Sequence, residues 1–158
     1  TRVFFEYHVP WTDLPLLQKP IAEPKLDWPN AAKIGERLLA EQARQHGFNI
    51  LQPVYLRLHR DRGVYTYRVR SDRDIQDRRG RTDLLFDANT GELRLFSLPT
   101  GQHSGNTLTN WLYALHMGNV FGLPYRIFVC LFGVTTIALS VTGIIIRLRK
   151  RKTHRATR

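Results

Sequence analysis

The sequence predicts an α+β domain, one helix packed on an antiparallel sheet, followed by an interfacial helix and one transmembrane helix near the C-terminus. Three observations predict it. Apolar residues recur at helical spacing over residues 30–46. Beyond Gly47 the period changes to two, in short runs separated by turn residues. Finally, residues 127–146 form one apolar stretch without a charge, a proline or an amide side chain, close to the roughly 20 residues a helix needs to cross about 30 Å of hydrocarbon.

Residues 1–29 carry Pro10, Pro15, Pro20, Pro24 and Pro29 and read as an extended lead-in with short turns, not as a packed element. The aromatic run Phe4, Phe5 and Tyr7 suits the end of a preceding span. Ordered structure is expected from near Asp27, with the folded domain over residues 30–100. Its helix places Ala31, Ile34, Leu38 and Leu39 on one side and Lys33, Glu36, Arg37, Glu41 and Arg44 on the other. Pro29 suits the first helical turn and Gly47 the stop. Val54, Leu56 and Leu58 then alternate with Tyr55, Arg57 and His59. The turn Asp61, Arg62 and Gly63 follows, and Tyr65, Tyr67 and Val69 alternate with Thr66, Arg68 and Arg70. After a charged loop over residues 71–81, Leu84 and Phe86 precede Asp87, Ala88, Asn89, Thr90 and Gly91, then Leu93 and Leu95. That is a second hairpin, with Gly91 where a positive φ costs little.

Residues 101–106 read as a glycine-rich linker. Leu108, Trp111, Leu112, Leu115 and Met117 make residues 107–123 an apolar helix suited to the outer membrane surface, with Trp111 and Tyr113 at headgroup level. The span is placed at residues 124–147. Its polar groups Thr135, Thr136, Ser140 and Thr142 can return a hydrogen bond to the preceding turn. Cys130, Gly133, Thr136 or Ile137, Ser140 and Gly143 form a stripe of small residues, a surface suited to other transmembrane helices of a parent protein or an oligomer.

Charge points to membrane lipid and away from nucleic acid. The formal net charge is +11, and seven of the positive charges fall in residues 147–158 without an acidic residue. The basic tail, residues 148–158, is expected on the cytoplasmic side, where it meets anionic headgroups. The domain before the span would then face outward, the periplasm of a bacterium, with the span in the inner membrane. The single thiol, Cys130, lies inside the span, so the domain must be held by ordinary burial. An exported domain in a chain that opens at Thr1, without a leader, is expected to be the C-terminal part of a longer protein with at least one more span.

Nine arginines against four aspartates across residues 57–81 form a positive field. It suits a solvated face, lipid headgroups or an anionic iron chelate. No paired-cysteine zinc site, glycine-rich phosphate loop or Ser, His and Asp set stands out. Of the histidines, His8 follows the aromatic run, His46 ends a helix, His59 lies on the outward face of a strand, His103 sits in the linker and His154 in the tail. His116 lies within the apolar helix before the span. An imidazole at membrane depth needs a partner, either a carbonyl, a headgroup or a metal.

The ordered series of the helix, the paired hairpins, Phe86 to Glu92 as a turn, Leu115-His116-Met117-Gly118, Gly122-Leu123-Pro124 and Thr142-Gly143 before a basic tail resembles the PepSY-associated transmembrane family. The resemblance runs from about residue 30 to residue 152. That family includes iron-regulated inner-membrane proteins and ferric-siderophore reductases. The resemblance implies several spans in the parent protein and haem b held between histidines on different helices. On this chain it makes His116 the candidate axial ligand, with Gly118 and Gly122 letting a flat macrocycle approach the backbone. Two functions follow. One is a haem electron-transfer module reducing ferric siderophores or related chelates. The other is a non-enzymatic domain that binds a peptide or a partner at the membrane.

Overall fold

The computed structural model describes residues 14–77 and 79–156, with side chains to Leu148. The aromatic run, His8, Arg78 and the side chains of the basic tail, His154 among them, lie outside the described residues. The chain divides into two compact units, with the boundary between Met117 and Gly118.

In the first unit, α1 (Trp28–His46) opens where Asp27 Oδ1 accepts the Asn30 N–H at 3.1 Å and Pro29 occupies the first turn. It closes at Gly47, whose φ of +62° is the left-handed cap that glycine adopts without a Cβ penalty. Ala31, Gly35 and Leu39, spaced by four, form its buried face. The sheet is a meander of four antiparallel strands in the order β1 (Ile50–His59), β2 (Val64–Ser71), β3 (Thr82–Asp87) and β4 (Leu93–Ser97). Tyr65, Tyr67 and Val69 of β2 with Leu84 and Phe86 of β3 meet α1 in the core. Each such large apolar side chain contributes roughly 1.5–3 kcal/mol when fully buried. The Tyr65 ring stacks on Phe86 at 5.6 Å, and its hydroxyl donates to the Leu26 carbonyl at 2.8 Å.

The lead-in is more tightly held than its prolines suggest. Backbone N–H groups of Leu17 and Ile21 donate to the Asp61 and Arg60 carbonyls, and that of Leu26 to Ala88, while Ile21 and Leu26 pack on the core. Proline rigidity thus positions donors along the two hairpin turns.

Strand β2 also departs from simple alternation, because the face away from α1 is buried as well. Thr66 and Leu85 are each 1 % exposed there. The Arg57 and Arg68 guanidiniums lie 4.9 and 5.1 Å from the Tyr55 ring, and Arg68 forks onto both carboxylate oxygens of Asp83. Burial pushes the Asp83 carboxyl above the usual carboxylate range, against the pull of Arg68. The charged loop is likewise ordered by one carboxylate. Asp74 accepts the Ser71 N–H at 2.8 Å, the Thr82 hydroxyl at 3.1 Å and the Arg81 N–H.

Helix α2 (Ser104–His116) begins inside the segment expected as linker and ends well before residue 123. Gly118 and Phe121, between the two helices, have φ near +60°, outside the right-handed helical region. The second unit then carries α3 (Gly122–Ala156), a single helix of 35 residues with Pro124 in its first turn. Residues Gly122–Leu148 are long and apolar enough to span a membrane, and no part of that window is buried within the protein. The helix continues into the basic tail, since Arg and Lys are good helix formers.

Candidate functional site

Helix α2 is fixed to its own unit by polar contacts on one side. Asn110 accepts from Arg81 Nη1 at 2.7 Å through Oδ1 and donates to the Pro99 carbonyl at 2.8 Å through Nδ2. The Arg81 guanidinium also lies 4.5 Å from the centre of the Tyr113 ring, and Ala114 is fully buried. Leu108, Trp111 and Leu112, at helical spacing, are exposed instead. Leu108 and Trp111 line an open cleft of about 500 Å³ with Thr107 and residues 101–104.

His116 is the last residue of α2 and is exposed. Among the described residues its imidazole makes no hydrogen bond, ion pair or ring contact. Carbonyl pairing, one of the two structural roles open to it from sequence, is therefore not used within the described chain. Gly118 and Gly122 belong to the second unit, each with φ +63°. A Cβ at Gly122 would meet nothing within 4 Å, and one at Gly118 only the Arg126 side chain at 3.7 Å. The backbone turn, not crowding, is thus what requires glycine at both positions. Arg126 closes that turn by donating from Nε to the Gly118 carbonyl at 3.0 Å.

Three other histidines fall among the described residues. His46 stacks on Phe96 at 5.1 Å. Burial pushes the His59 imidazole below its usual range, with Asp61 opposing and Arg57 assisting. His103 is half-buried as the N-cap of α2. Among the described residues no three His, Cys, Asp or Glu side chains gather into a metal-holding group.

Of the nine arginines in the field, four described ones make side-chain hydrogen bonds. Arg62 bonds the Leu14 carbonyl, Arg68 pairs with Asp83, Arg73 donates to the Gly47 carbonyl and Arg81 holds α2. Arg57 and Arg60 have no carboxylate partner among the described residues. Sequence reading did not find Asp74, Asp83 or the exposed Trp28, none of which carries a local pattern.

The meander, its covering helix and the exposed apolar C-terminal helix agree with one family model, that of the PepSY-associated TM region, which matches residues 9–150. The chain belongs to this family. No curated protein matches it. As a PepSY-associated membrane protein it joins a folded α+β unit to a candidate membrane span within one continuous family match. Such a helix, apolar over its whole surface, is at home among lipid tails or other transmembrane helices.

Proposed function

We propose that this PepSY-associated protein belongs to a b-haem electron-transfer module that reduces ferric siderophores or related iron chelates, with His116 as one axial ligand. The observation that carries the reading is the exposed His116 imidazole, without a partner among the described residues, six positions before the candidate span begins at Gly122. A neutral imidazole is a common axial ligand of haem iron. Bound haem would supply a one-electron ferric/ferrous couple. His116 would supply one axial ligand to it, and a histidine on another helix would supply the second. Gly118 and Gly122 carry no side chain of their own, and Arg126 donates to the Gly118 carbonyl. The seven positive charges after the apolar stretch favour a cytoplasmic tail and a periplasmic domain at a bacterial inner membrane.

The test is an absorption spectrum of the full natural protein, purified in detergent. A Soret band is expected, and His116→Ala should abolish it or shift the reduction potential, whereas His59→Ala should change neither. A protein that purifies without haem, or a spectrum indifferent to His116→Ala, would leave the non-enzymatic partner-binding domain as the function.

A further inference from the structure

The sheet ends at β1, and among the described residues no backbone group bonds the outer edge of residues 50–58. Natural edges are usually blunted by bulges or proline. The first half of β1 is blunted in that way, with register irregularities between Ile50 and Gln52 and between Pro53 and Tyr55. Pro53 also lacks a donor. The second half is not blunted, because residues 55–59 run in unbroken register against residues 64–68.

A groove of about 430 Å³ lies on that regular half, lined by Trp28, Tyr55, Leu56, Arg57, Leu58 and Arg60. Consecutive strand residues point to opposite faces, so a groove that touches residues 55, 56, 57 and 58 follows the strand edge. Trp28 overhangs it from the start of α1, its ring edge-on to Tyr65 at 5.4 Å with half its surface still exposed. Arg57 and Arg60 bring two positive charges with no carboxylate to answer them among the described residues. An unpaired ladder supplies affinity without sequence preference, and the side chains flanking it supply the preference.

We infer that residues 55–58 of β1 are a docking edge for an extended, acidic peptide segment, which adds to the sheet as a fifth strand. Four residues of such a strand cover about 13 Å. Side chains on one face of the peptide meet Trp28, Leu56 and Leu58, and those on the other meet Arg57, so the segment alternates apolar and acidic residues. This inference is independent of haem binding.

The test uses the full protein in detergent micelles and a fluorescein-labelled peptide of alternating Val and Glu, read by anisotropy. A counterpart with Lys in place of Glu should bind at least about tenfold more weakly, and R57E/R60E should reverse that preference. Both arginines are exposed, so the variant keeps the core. With the wild-type protein, a peptide N-methylated on the amides that face β1 should lose binding, and amide exchange of residues 55–58 should slow only when the unmethylated peptide is present. Equal binding of the methylated peptide would mean charge adsorption and overturn the added strand. Indifference to R57E/R60E would overturn the site. Protection of residues 55–58 that rises with protein concentration alone would assign the edge to a second copy of the chain and overturn the peptide.

Discussion

Gly35 lies on the buried face of α1 against Tyr67 of β2, and replacing it by alanine tests the packing of helix on sheet. A Cβ built there would stand 2.9 Å from Tyr67 Cγ, 3.1 Å from its Cβ and 3.2 Å from its Cδ2. Carbon atoms rest at about 3.5–4.0 Å. The atoms met are the base of a buried ring on a central strand, which is paired with Leu56 on one side and Leu84 on the other, so the ring cannot swing away. Two effects oppose each other. Alanine gains about 1 kcal/mol over glycine in a helix interior, whereas overpacking a core costs roughly 1–3 kcal/mol. The net is a loss of up to about 2 kcal/mol, which corresponds to roughly a thirtyfold change in an opening equilibrium. Hydrogen exchange of β2 amides, measured by mass spectrometry in detergent, should therefore be faster in Gly35→Ala. In a Tyr67→Ala background the added penalty should shrink, since the closest contact is gone. Exchange in Gly35→Ala that is slower, as the helix propensity of alanine alone would make it, would refute this placement of α1 on the sheet.

The turn between β3 and β4 gives a pH test. Burial raises the Asp87 carboxyl, but the Asn89 N–H, Arg94 and the Thr90 N–H together outweigh it and hold the carboxyl below its usual range. A depressed carboxyl contributes stability that is present above its unfolded value, about 4, and lost as pH falls through the folded value. Asp87→Asn should thus unfold at a lower temperature than wild type at pH 7, and the gap should close below about pH 4; a gap that widens on acidification would contradict the assignment. Membrane orientation can be read by thiol labelling in a Cys130→Ser background. A cysteine at Asn89 should react with an impermeant maleimide once the outer membrane is permeable, and one at Arg155 should stay protected in intact cells. The reverse pattern would place the folded unit in the cytoplasm.

What the sequence carries locally was legible in it. The apolar spacing of α1, the turns at Gly63 and Gly91 and the composition of the span each depend on a few neighbouring residues, and the structure has them where those residues put them. Features set by neighbours across strands were not. Thr66 looks like a solvent-facing position in an alternating strand, yet pairing with Arg57 on one side and Leu85 on the other buries it. Asp83 looks like one more surface charge until register sets it opposite Arg68. The end of α2 was missed because Gly118, two residues past His116, takes a left-handed φ of +63° within an otherwise apolar run. At the candidate site, the position of His116 on the helix before the span followed from sequence, whereas its lack of a partner did not. The groove on β1 required knowing that this strand is an edge and that Trp28 overhangs it.

The hydroxyls of α3 limit how it can recognise another helix. Thr135, Thr136, Ser140 and Thr142 donate to the carbonyls of Leu131, Phe132, Thr136 and Ala138, at 2.8–3.0 Å. Each proton is thus already engaged within its own helix, leaving the oxygens able only to accept. A neighbouring helix seated along Gly133, Ser140 and Gly143 would have to bring its own donors or be selected by contour alone. Discrimination between partners in the bilayer would then lie in the spacing of knobs and hollows, a fit that one added methyl group at Gly133 or Gly143 is enough to spoil.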